Sequence, residues 1–211
     1  MCIHTSNLIA RQELDADIVE MGAGVIDPKW FITIPHIPNN LLLNPCRYWD
    51  LAVSIKTSAD YSAGILGGLY NGKFTICHLV HDRFEYYDLK KRIISTAISD
   101  GTNTIIGLEE AGQQKGFISD LKHEPDLYPY PIKARQPQGD KLSRALPWIT
   151  RAESGQIQIC GPASWTKVLE DELRDFSPDM SHAHDDIVDA ISGSYDIVMN
   201  TFSATGGKLR F

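Results

Sequence analysis

From residue 47 onward the chain is written in alternation. RYWDLAVSI, SAGILGGLY and KFTICHLVHDRF are three runs rich in β-branched and aromatic residues, and Asn71-Gly72-Lys73 between the second and third is a tight-hairpin signal. Three antiparallel strands are therefore expected first. The period then lengthens: Leu89, Ile93, Ile94 and Ala97 recur at helical spacing in YYDLKKRIISTAISDG, which stops at Gly101. TNTIIGLEE is short, β-branched and apolar until its last two residues, the pattern of a buried strand. GQQKGFISDLKHE predicts a helix and YPYPIKA a strand. In QGDKLSRALPWITRAESG, Leu142, Ala145, Leu146, Ile149 and Ala152 share one helical face. QIQICG predicts a brief strand, SWTKVLEDELRDF a helix capped by Ser164, and HDDIVDAISGSYDIVMN a closing helix with acids in its first turn. Trp148 and Trp165 read as core.

This order predicts an α/β fold, a mixed central sheet of leading antiparallel strands with later parallel additions, flanked by helices. Residues 1–44 read less regularly. A short polar helix candidate at 7–21 gives way to Gly- and Pro-punctuated sequence ending in IPHIPNN, so 1–44 is expected to be a connector, 45–200 the folded domain and 201–211 a tail.

Composition narrows the classes. Hydrophobic residues at 43% and charged residues at 22% are ordinary globular values, which argues against disorder or a fibre. The net charge of −7 excludes a protein whose whole surface attracts nucleic acid, so any such face must be local. Cys2, Cys46, Cys77 and Cys160 form no CxxC pair, which argues against a zinc knuckle and fits a reducing compartment. The start lacks a basic, apolar leader, and no run approaches the roughly 18 apolar residues of a membrane helix. A cytosolic location is expected.

Three acidic positions stand out. Asp50 lies within RYWDLAVS, where an ionised carboxylate needs compensation by a metal, a buried salt bridge or solvent at an edge. Glu109 and Glu110 end the apolar run IIGLEE, and alternation sends them to opposite faces. Glu109 is the expected partner of Asp50, with Glu110 in support or capping the next helix. In HDDIVDA, Asp185 and Asp189 stack on one helical face while Asp186 points about 100° away. Such stacked acids repel unless a cation or water lies between them; an acidic N-cap accounts for Asp185 and Asp186 but not for Asp189 on an otherwise apolar helix. Together these sites favour hard, oxygen-liking cations, two Mg²⁺ or Mn²⁺ ions bound by Asp50, Glu109, Asp185 and Asp189, with Glu110 and Asp186 as second choices. Asp50, Glu109 and Asp185 are the candidate catalytic acids.

A carboxylate site repels phosphate, so a nucleic-acid substrate needs a basic face nearby. PIKARQPQGDKLSRALPWITR supplies one, with Lys133, Arg135, Lys141, Arg144 and Arg151 against Asp140 alone. Lys141 and Arg144, three apart near a helix start, could clamp a phosphate backbone, or form an ordinary solvated face. His182 and His184 beside the acids could orient a ligand or simply lead into the helix, and Asp60 is expected to cap a turn.

These stretches, YWDLA with SADYSAG, IGLEEAGQQKG, GDKLSRALPWITRAESGQIQI, SWTKVLEDELRDF and HDDIVDAISG, occur in the order in which they resemble the C-terminal nuclease domain of tailed-phage terminase large subunits. The resemblance implies an RNase H-like fold and a metal-dependent endodeoxyribonuclease that cuts concatemeric viral DNA during packaging. By that resemblance Asp50, Glu109 and Asp185 bind the metals, and Lys141 and Arg144 contact double-stranded DNA. It also implies a terminase small subunit, a portal and an ATPase motor as partners, in a bacterial host cytoplasm. This sequence contains no GxxxxGK(S/T) segment, so packaging ATPase activity is not expected of it. Two alternatives remain: another RNase H-like nucleotidyl transferase of the junction-resolvase or transposase type, and a non-catalytic docking module of the packaging motor.

Overall fold

A computed structural model of the chain describes residues 25–52, 61–110, 112, 114–177 and 185–206. The candidate helix at 7–21, Asp60, His182 and His184 lie outside the described residues. In chain order the regular elements are β1 (Ile32–Ile34), β2 (Leu43–Asp50), β3 (Ser62–Tyr70), β4 (Lys73–Asp82), α1 (Tyr86–Asp100), β5 (Ile105–Glu109), α2 (Gln114–Lys122), β6 (Ile132–Arg135), α3 (Lys141–Glu153), β7 (Ile157–Cys160), α4 (Thr166–Asp175) and α5 (Asp186–Ala204).

The strands form one mixed sheet in the order β1-β7-β4-β3-β2-β5-β6. Strands β2, β3 and β4 are antiparallel neighbours, as the hairpin signal predicts. Asn71 and Gly72 both take positive φ, 50° and 77°, the paired left-handed conformation of a two-residue hairpin turn. The remaining strands join in parallel: β5 to β2, β6 to β5, β7 to β4, and β1 to β7.

Side-chain alternation divides the sheet into two faces. Cys46 and Tyr48 of β2 and Ile105 of β5 pack with Trp148 of α3, Leu169 of α4 and Ile187, Ile191 and Val198 of α5. Trp49, Ile106 and Leu108, one residue out of phase, pack with Leu89 and Ile93 of α1 and Phe117 and Leu121 of α2. That second face also buries a charge. Arg47 donates from Nε and Nη2 to both carboxylate oxygens of Asp100, at 2.7 and 2.8 Å, and from Nη1 to the Gly64 carbonyl.

Residues 25–44, the described part of the expected connector, pack onto the domain. Ile26, Phe31, Ile37 and Leu42 are buried, Val25 N–H donates to the Phe176 carbonyl, and β1 extends the sheet edge. Their apolar residues are spaced irregularly between prolines, so they carry no period from which a strand could be read. At the other end α5 continues past residue 200 to Ala204. The cap of α4 is also corrected. Ser164 does not fill it: the helix begins at Thr166, whose hydroxyl oxygen accepts the Ala163 N–H at 2.9 Å. Trp148 is fully buried, whereas Trp165 is only half-buried and stands edge-on to His78. Among the described residues no helix is long and apolar enough to cross a membrane.

Candidate functional site

Two adjacent parallel strands deliver the first acids. The β2–β5 register matches Tyr48 with Gly107 and Trp49 with Leu108, so Asp50 and Glu109 occupy the next position, side by side at the carboxyl ends of both strands. They share the face of Tyr48 and Gly107, and α5 covers that face. Glu110 belongs to the opposite face, and its backbone N–H donates to the Arg135 carbonyl. Neither glutamate opens a helix, since α2 starts only at Gln114.

The first turns of α5 supply the other acids. Asp185 is its N-cap residue and Asp189 sits one turn later, buried at 5% exposure. A cation does lie between them: Lys141 Nζ pairs with Asp185 and, at 3.0 Å, with Asp189 Oδ2. Arg144 Nη2 takes the other Asp189 oxygen. Asp140 fixes these bases by capping α3, accepting the Ser143 N–H at 2.8 Å and its hydroxyl at 2.7 Å. The three-residue spacing then turns Lys141 and Arg144 toward α5 together. Trp148 ties the helices one turn further on, its Nε1–H donating to Ser192 Oγ at 2.9 Å.

Crowded carboxylates change one another's acidity. Burial, then the charges of Glu109, Asp189 and Asp186, hold Asp50 well above the usual carboxylate range, with Lys141 opposing. Burial and Asp189 raise Glu109, against Arg144 and Lys141. Burial would lower Lys141, but Asp185 and Asp189 outweigh it and leave the ammonium raised. Asp186 thus acts on Asp50, while Asp185 acts on Glu109 and Lys141.

Sequence reasoning missed two contributors. Tyr48 is buried beneath the acids in a slot made by two glycines: a methyl on either Gly107 or Gly193 would run into its ring. Burial, Glu109 and Asp50 push its phenol above the ordinary range. Glycine at matched positions on a strand and a helix was the only signal available, and it became readable once the two were known to face each other. Glu172 on α4 is the second. Its Oε1 accepts the N–H groups of Ile187 and Val188, fastening the start of α5.

Beside the acids opens a cavity of about 630 Å³, lined by Tyr48, Glu109, Arg144 and Asp189 and flanked by Arg135 and Asn200. Arg135 pairs with Asp196 of α5, and Lys133 reaches Thr201 at 3.5 Å. Both β6 bases thus line the α5 side of the sheet, with Arg135 in register beside Glu109. Among the described residues no three His, Cys, Asp or Glu groups already converge as a closed metal cage. The spaces between the carboxylates are spanned by Lys141 and Arg144.

A sheet of three antiparallel strands extended by parallel ones, with acids at the ends of two adjacent strands and at the start of the covering helix, defines the RNase H-like class. Within that class the chain belongs to the terminase RNase H-like domain family, whose profile matches residues 47–196. No curated protein matches by sequence. Solved structures agree on the fold. The large terminase nuclease of thermophilic phage G20c with bound zinc superposes with a TM-score of 0.59 at 18% identity, covering 80% of this chain and 94% of that one. The human cytomegalovirus terminase nuclease domain, Mn soaked, gives 0.60 at 15% identity, covering 82% and 94%. The large terminase of another thermophilic bacteriophage gives 0.60 at 14% identity, covering 84% of this chain but 46% of that one.

Proposed function

We propose that this chain is a metal-dependent endonuclease that cuts double-stranded viral DNA during genome packaging. The observation that carries the reading is the gathering of Asp50, Glu109, Asp185, Asp186 and Asp189 at one end of the sheet, where burial and the neighbouring carboxylate charges hold Asp50 and Glu109 above the usual carboxylate range. The donors are all hard carboxylate oxygens, the chemistry of Mg²⁺ and Mn²⁺. The related G20c and cytomegalovirus nucleases were solved with magnesium and manganese respectively.

Asp50, Glu109 and Asp189, with Asp185 or Asp186, would hold the ions. Two bound ions supply an activated water and stabilise the leaving oxygen of the phosphodiester. Lys141 and Arg144 would meet the DNA backbone at the rim of the same cavity, and Lys133 and Arg135 would extend that path along β6. In the assembled packaging machine, a small subunit, a portal and an ATPase motor would present the DNA.

Supercoiled plasmid incubated with the protein and Mn²⁺ or Mg²⁺ should be nicked, then linearised, and chelation should stop the reaction. Intact plasmid across both titrations sinks the proposal. One observation favours a second reading, a docking module without catalysis: Lys141 and Arg144 already neutralise Asp185 and Asp189. That reading requires the protein to ignore divalent ions in both cleavage and thermal stability.

A further inference from the structure

Cys77 of β4 and Cys160 of β7 form a constellation that the carboxylate site does not use. The β4–β7 register matches Phe74 with Ile157, Thr75 with Gln158 and Ile76 with Ile159. Cys77 and Cys160 therefore occupy the next matched position and project to the same face. Their Sγ atoms are 3.2 Å apart. Cys46, by contrast, lies in the core on the other side of the sheet.

Both thiols are shut off from bulk water among Ile37, Leu42 and Leu66. Yet both also line a cavity of about 640 Å³ with Arg47, His78 and Trp165, which gives a small reagent a way in. The two sulfurs are not equivalent. The hydrogen bond they share, then burial, raises Cys77, whereas the same hydrogen bond, assisted by the backbone at Ile37, lowers Cys160. Either sulfur can donate the shared hydrogen bond, and the backbone hydrogen bond at Ile37, which Cys160 has in addition, favours Cys160 as the attacking thiolate.

We propose that Cys77 and Cys160 are a thiol–disulfide redox site whose reaction partner is a low-molecular-weight disulfide of the glutathione type. The Cys160 thiolate attacks one sulfur of that disulfide, forming a mixed disulfide and expelling one thiolate. Cys77 then loses its proton and attacks Cys160 Sγ, forming the intramolecular bond and expelling the second thiolate. The protein gives up two thiol protons and two electrons, and the small disulfide leaves as two thiols. Neighbouring matched positions on paired strands lie within the separation that a disulfide spans. The bond would close a loop between residues 83 apart and staple β7 to β4, a junction otherwise made of three matched residue pairs.

The full chain, without divalent ions, is equilibrated in glutathione buffers from reducing to oxidising, alkylated and mapped by non-reducing peptide mass spectrometry. A single Cys77–Cys160 linkage is expected, reversed by dithiothreitol, with Tm raised by roughly 5–15 °C in the oxidised form. Cys46→Ser should behave like the wild type, and Cys77→Ser should stop at a glutathione adduct on Cys160. Free alkylation of both thiols in oxidising buffer overturns the proposal, as does a linkage that recruits Cys2 or Cys46 or one that leaves Tm unchanged. The nuclease reading plays no part in these outcomes.

Discussion

Glu172 Oε1 lies 2.7 Å from the backbone nitrogen of Ile187 and accepts its N–H, so a carboxylate on α4 caps a helix that it does not belong to. The same oxygen takes the Val188 N–H at 3.1 Å. Asp185, the N-cap residue of α5, makes no side-chain cap of its own and pairs with Lys141. Glu172 thereby relieves Asp185 of the capping role and leaves it facing the site.

Replacing Glu172 with alanine should leave two buried donors unsatisfied and cost about 1–3 kcal/mol. Its acidity adds a pH signature. Burial, opposed by the two amides and reinforced by Asp186 and Asp185, pushes the Glu172 carboxyl up to about 8. The folded state then keeps a proton that the unfolded state has already released, so this group's contribution is complete below its ordinary pKa and declines as pH rises toward 8. Urea unfolding of metal-free protein at pH 5 and pH 8 should show that decline. Glu172→Gln should make it shallower, with the remainder due to Asp50 and Glu109; an unaltered slope would count against the assignment.

Asp50→Asn should abolish plasmid cleavage while leaving the metal-free protein folded, because asparagine keeps the shape of a half-buried carboxyl whose ionised form its neighbours already oppose. Differential scanning of both proteins separates the roles. Mn²⁺ should raise the Tm of the wild type, more at pH 8 than at pH 6 because ions compete with protons for raised carboxylates, and should barely move the variant. Equal Tm shifts in the two would remove Asp50 from the metal site.

Lys141→Ala and Arg144→Ala should separate two functions. Each should weaken DNA binding and reduce the slope of log affinity against log salt by about 1. Arg144→Ala should also cost about 1–3 kcal/mol, since Asp189 is buried and loses a charged partner. Fluorescence anisotropy across a salt series, with parallel denaturation curves, checks both. A salt slope unchanged in Lys141→Ala would argue that this lysine serves only the acids.

Gly193→Ala should destabilise the protein by about 1–3 kcal/mol, because the added methyl would collide with the Tyr48 ring beneath the site. Pairing it with Tyr48→Leu should restore part of the loss, whereas two additive penalties in denaturation would mean that the residues do not share the slot.

Most of the fold was legible because its signals are local. The 71–72 turn, the alternation of β2 to β4, the helical periods of α1 and α3 and the two-sided burial of β5 are short-range consequences of steric and hydrophobic patterning. The sequence by itself also determined which residue types could carry chemistry: Asp50 and Glu109 were visible as acids ending apolar strands, and HDDIVDA as acids opening an apolar helix. Tertiary structure decided what these residues face. Only the parallel β2–β5 register sets Asp50 beside Glu109, and only the packing of α3 on α5 puts Lys141 between Asp185 and Asp189. Contacts across dozens of residues leave no periodic trace, so the strand at 32–34, the Tyr48 slot, the Glu172 cap and the Cys77–Cys160 pair all had to await the folded chain. Single residues such as Glu172 satisfy distant backbone groups, and nothing in their own neighbourhood announces it.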